Sequence, residues 1–129
     1  LNEMGLNDLL LGIIILKDSQ TFNEDALNFG LREASKKHKR LMNYFRVSSD
    51  MSGENRTSLD NYLFFMGMSN ILIYTGDYRA RQITDHGIMY GRRELIKKYG
   101  RNIFNKLKPI TDEVWREAKK HKPYLSSAK

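Results

Sequence analysis

At 129 residues the chain is long enough for one domain with a real hydrophobic core, needing neither disulfide nor metal staples. It contains no cysteine, which excludes a disulfide framework, a thiol nucleophile and a cysteine metal site, and its three histidines are too scattered to suggest zinc. The net charge of +7 is one-sided: residues 1–76 carry 8 Lys/Arg against 9 Asp/Glu, while residues 77–129 carry 14 against 6. Such a field points to a polyanionic partner, a nucleic acid or an anionic surface.

The patterning predicts an all-α fold, a single helical bundle over 1–129 with roughly five to six helices. The first helix runs from about Leu6 to Lys17. Its run Leu9 to Leu16 is too apolar to stand in water. Acidic Glu3 and Asp8 precede it and no small-residue cleavage site follows, so it reads as a buried helix rather than a secretory signal. Asp18 to Thr21 is a connection, and Asn23 is a good N-cap with Glu24 and Asp25 in the first turn behind it.

The second helix is expected over 24–46. Leu27, Leu31, Ala34, His38, Leu41 and Phe45 recur at the alternating spacing of a packing seam. His38 on that seam reads as a histidine at the edge of the core. Arg32, Lys36, Lys37, Lys39 and Arg40 fall mostly off the stripe and form a secondary basic face. Residues 47–56, rich in Ser, Asp, Gly and Asn, read as a mobile loop.

Thr57-Ser58-Leu59-Asp60 fits a capping pattern ahead of the longest uncharged run in the chain. From Leu59 to Tyr74 large side chains fall on every side of a helical period, which predicts a buried central helix at about 59–74. Thr75-Gly76-Asp77 then breaks the chain, and a third long helix is expected over 77–99. Gly87 and Gly91 inside it imply close approach of another backbone or a kink, and Gly100 closes it. A short segment from Arg101 to Lys108 is stopped by Pro109. A last helix starts near Thr111 and ends at Lys119 to Lys122, followed by a frayed tail at 124–129.

Between Arg79 and Lys108 stand nine basic residues against two acidic ones, Asp85 and Glu94. Lys and Arg neutralise phosphates and release counterions, and Arg and Tyr stack on unpaired bases. The candidate nucleic-acid-binding set is Arg79, Arg81, Arg92, Arg93, Lys97, Lys98, Arg101, Lys106 and Lys108, with Tyr90 and Tyr99. No RNP motif, GXXG loop or zinc-finger spacing accompanies them, so contact with the backbone is expected over readout of bases. No cofactor or metal is expected. Glu113, Glu117 and His121, spaced by four, read as a solvated helix face.

Arg81-Gln82-Ile83-Thr84-Asp85-His86 resembles the R-x4-H motif of HEPN ribonucleases, which are also small and helical. The resemblance implies that Arg81 holds a scissile phosphate, that His86 acts as general base on a ribose 2′-OH, and that two protomers share the site. The main expectation is different. It is a non-catalytic subunit that binds the phosphate backbone of a nucleic acid, of unspecified type and strandedness, beside other protein subunits, copies of itself included. In size, helicity and charge it is similar to the small subunits of CRISPR effector complexes and to helical coat proteins of filamentous archaeal viruses. The expected setting is the cytoplasm or a virion, with no secretion and no membrane partner. The alternatives are the ribonuclease using Arg81 and His86 and an adaptor for an acidic protein.

Overall fold

A helix without a polar face must be sheathed by its neighbours, and the most apolar stretch of the chain is. The computed structural model describes residues 4–17, 21–39, 41, 47–49, 55–74 and 80–121. In it α1 (Leu6–Ile15) buries every residue from Leu9 to Ile15. Helices α4 (Asp85–Tyr99) and α5 (Ile103–Ala118) flank it. Gly12 admits them: a Cβ there would stand 2.5 Å from Leu107 Cδ1 of α5 and 3.6 Å from Leu95 Cδ1 of α4. At its C-terminal end the carbonyl of Ile13, one of the four a helix leaves unpaired, accepts the indole N–H of Trp115 at 2.9 Å.

Helix α2 (Glu24–Ala34) begins as its sequence predicts, with Asn23 Oδ1 accepting from the backbone N–H groups of Asp25 and Ala26 at 2.8 and 3.0 Å. Leu27, Leu31, Ala34 and Leu41 are buried, and α2 lies along α5. The regular helix ends at Ala34 and not at Arg46; residues 42–46, with Phe45, lie outside the described set. The stretch 47–56, read as a loop, contains β2 (Val47–Ser49), which pairs antiparallel with β3 (Asn55–Thr57). Residues 50–54, and the tail at 124–129, lie outside the described residues.

The expected central helix at 59–74 is where structure and sequence differ most. Helix α3 (Ser58–Met68) stops at a Schellman turn. Asn70 takes φ 61°, the N–H of Ile71 donates to Met66 O at 2.9 Å, and that of Asn70 to Gly67 O at 3.2 Å. Beyond it β-branched and aromatic residues make a strand, β4 (Leu72–Tyr74). Nor is α3 buried all round. Leu63 and Met66 enter the core, while Phe64, Phe65 and Met68 are 58–68 % exposed. The central helix is α1.

The fold is mostly helical, with a small antiparallel sheet in the order β1 (Thr21–Asn23), β5 (Ala80–Ile83), β4. Register places Phe22 and Tyr74 on either side of Arg81, and Leu72 beside Ile83. The helix expected to start at Asp77 therefore starts at Asp85, after a strand that carries Arg81. Thr84 joins the two, its Oγ1 accepting from Gly87 N at 2.8 Å and donating to Asn70 O at 2.8 Å. Pro109 does not end a helix. It sits at an exposed position within α5, where its missing N–H leaves the Asn105 carbonyl without its helical donor. Among the described residues no helix is long and apolar enough to cross a membrane.

Candidate nucleic-acid interface

The face that α4 shows to solvent follows from the face it buries. Gly87, Gly91 and Leu95 recur every fourth residue and are buried. A Cβ on Gly87 would stand 2.7 Å from the Ile71 carbonyl oxygen, and one on Gly91 would stand 3.3 Å from Ile15 and Leu11 side chains. Gly87 thus provides the close backbone approach that the spacing implies, whereas Gly91 makes room for side chains of α1. With that stripe turned in, His86, Met89, Tyr90, Arg92, Arg93, Ile96 and Lys97 are turned out.

The candidate cations separate into two groups. Arg93, Lys97, Arg101 and Lys106 are exposed, and no acidic side chain pairs with any of them among the described residues. Arg92 is exposed with its guanidinium 5.5 Å from the centre of the Phe104 ring, and Lys108 makes only an exposed contact of 3.5 Å with Asp112. These six run from the middle of α4 through the Gly100 turn, where φ is 88°, into α5.

Arg81, Lys98 and Tyr99 are engaged by acidic side chains of the fold, Lys98 while still half exposed. Arg81 Nη2 lies 2.8 Å from Glu24 Oε2, and its guanidinium carbon sits 3.5 Å from the centre of the Tyr74 ring. Its side chain is only 11 % exposed, so it pins the sheet to α2 instead of facing a phosphate. Tyr99 donates its hydroxyl to Asp8 Oδ2 at 2.6 Å, and Lys98 Nζ stands 3.4 Å from the same oxygen. The negative charge of Asp8 raises the Lys98 ammonium above its ordinary value, and the hydrogen bond to Asp8 raises the Tyr99 phenol. Both residues clamp α4 to the first turn of α1. Arg79 lies outside the described residues.

Of the secondary basic face, Lys37 joins another helix. Lys36 pairs with Glu33 at 2.9 Å on its own helix side. Lys37 Nζ and His38 Nε2 reach Glu113 of α5 at 3.2 and 3.0 Å, and Arg116 adds a contact of 3.5 Å. Glu113 is thus buried between α2 and α5, not solvated as its spacing suggests. The hydrogen bond from Lys37 holds its carboxyl below the ordinary value, against the opposing effect of burial. Glu117 instead pairs with Lys120 at 3.0 Å. Arg32 and Lys39 are exposed, and Arg40 lies outside the described residues.

Sequence reasoning named Tyr90 and Lys98 as candidates but not Phe65, nor the recess that brings them together. Phe65 of α3 and Tyr90 of α4 line a recess of about 160 Å³ together with Ser69, Glu94, Asp8 and Lys98. Tyr90 stacks beside His86, ring centres 6.2 Å apart and planes 23° apart. A second, apolar groove of about 330 Å³ lies between α3 and β4, lined by Phe64, Met68, Ile73 and Tyr74. No protein-family model, curated protein or solved structure matches this chain, so the site is read from its own residues.

Proposed function

We propose that the protein is a non-catalytic subunit that binds the phosphate backbone of a nucleic acid through the outer face of α4 and the start of α5. The observation that carries this reading is the unpaired set Arg93, Lys97, Arg101 and Lys106. Several other cations of the described chain meet carboxylates, as Arg81 meets Glu24 and Lys37 meets Glu113. Four exposed cations along α4, the turn that follows and the start of α5 leave a field for phosphates to neutralise, with affinity that does not depend on sequence. The apolar groove beside β4 supports a neighbouring protein subunit on a different surface, as in a larger nucleoprotein assembly.

The ribonuclease reading has no observation in its favour, because the guanidinium of Arg81 is held by Glu24 and stacked on Tyr74. His86 is exposed beside Tyr90. Reversing two charges tests the proposal. The Arg93→Glu/Lys97→Glu variant should lose binding to labelled oligonucleotides, while Lys120→Glu, on the far end of α5, should keep it. Equal binding by both variants would remove α4 from the interface. Binding to an acidic polypeptide but to no oligonucleotide would favour the adaptor.

A further inference from the structure

Two aromatic rings on different elements are turned to water beside the basic face. Phe65 of α3 is 60 % exposed and Tyr90 of α4 is 43 % exposed, and both line the recess of about 160 Å³. Exposed rings forgo the apolar burial that a core position gives, and two of them together at one opening form a surface suited to an occupant.

The recess itself is polar. Asp8 is committed to Tyr99 and Lys98, which leaves Glu94 as the recess carboxylate that accepts no hydrogen bond from a described donor. Ser69, at the end of α3, supplies a hydroxyl. Carboxylate and hydroxyl oxygens accept from exocyclic amino and ring N–H groups of a nucleobase. The ring of His86 lies close to parallel with that of Tyr90.

Helix spacing supplies the remaining element. Arg93 and Lys97 follow Tyr90 by three and seven residues, so the two free cations share a stripe of α4 with the aromatic ring. Cations that track a backbone, with an aromatic ring one turn away, are how single strands are held without a duplex groove. Space for one ring system, opening between two helices, does not admit a base pair.

We infer that this recess takes one unpaired base of a single strand. The base lies against Phe65 and Tyr90 with its N–H edge toward Glu94, and the flanking phosphates rest on Arg93 and Lys97. The inference rests on the nucleic-acid reading above and specifies its ligand as single-stranded.

The test is fluorescence anisotropy with a labelled 12-mer as single-stranded RNA, single-stranded DNA and duplex, using the full chain and its variants. Single strands should bind more tightly than duplex. Phe65→Ala and Tyr90→Ala should each weaken single-strand binding by about five-fold or more, the loss of one stacking contact, with duplex binding unchanged. Tyr90→Phe keeps the ring and should keep the affinity, and circular dichroism melting should show each variant folded as the parent is. Lys97→Glu should weaken every nucleic acid alike. Equal affinity for single strands and duplex, or single-strand binding indifferent to both alanine variants, would overturn the inference and leave the backbone reading standing. Absence of binding to all three, even at low salt, would overturn both.

Discussion

Arg81 and Glu24 meet at 2.8 Å with side chains only 11 % and 7 % exposed, joining the middle strand of the sheet to the first residue of α2. Removing one member of such a pair leaves the other buried without its counter-charge, at a cost of about 3–5 kcal/mol. Glu24→Ala and Arg81→Ala should each lower the denaturation midpoint accordingly. The double variant should be less destabilised than the two single effects together. Full additivity, measured by denaturant titration, would mean that the pair is not coupled.

Glu113 gives the fold an acid-sensitive joint. Its carboxyl is held below the ordinary 4.5, chiefly by Lys37, so between the two values the unfolded chain binds more protons than the folded one. The stabilisation is complete above 4.5 and is lost as pH falls through the lower folded value. Thermal melting should therefore show a fall in stability below pH 4.5 that is smaller in Glu113→Gln, whose side chain does not titrate. An identical acid profile in the variant would contradict this assignment.

At alkaline pH the joint between α1 and α4 responds in the opposite direction. The Tyr99 phenol is raised above its ordinary 10.0 by its hydrogen bond to Asp8, and Lys98 is raised beside it. Their contribution is present below those ordinary values and is lost as pH rises through the folded ones. In an ultraviolet titration, the difference between the parent and Tyr99→Phe should show a phenol ionising above pH 10.0. Asp8→Asn should bring that component down.

How far these features could be read beforehand depends on how local their causes are. Asn23 as a cap, the Leu27-Leu31-Ala34 seam, the close backbone approach at Gly87, and the burial of α1 follow from neighbours within a turn or two, and all were legible. The end of α3 was not. A short apolar run such as Ile71 to Tyr74 has no period that separates strand from helix, and Asn70 becomes a terminator only by taking a left-handed φ. Pro109 misled because its place on the exposed side of α5 depends on which face the core claims. The same applies to the charges. Sequence could show that Arg81, Lys98 and Glu113 were charged, but Glu24, Asp8 and Lys37 became their partners only through tertiary packing. The recess was invisible for the same reason, since only tertiary packing brings Phe65 of α3 and Tyr90 of α4 to one opening.

Packing between α2 and α5 depends on Gly30, where an added Cβ would collide with the backbone oxygen of Val114 and with Ala118. Gly30→Ala should destabilise the protein by about 1–3 kcal/mol, despite the better helix propensity of alanine. A neutral or stabilising result in a melting experiment would show that the two helices can part without cost.

The central claim is that free cations on α4 and at the start of α5 meet phosphates. The salt dependence of oligonucleotide binding tests it most directly. Engagement of Arg93, Lys97, Arg101 and Lys106 by a single strand predicts that log Kobs falls with log salt concentration at a slope of about −3. Lys97→Ala should make that slope shallower by about one unit while weakening binding across sequences alike. A slope near zero, or one unchanged when these residues are replaced, would contradict the account.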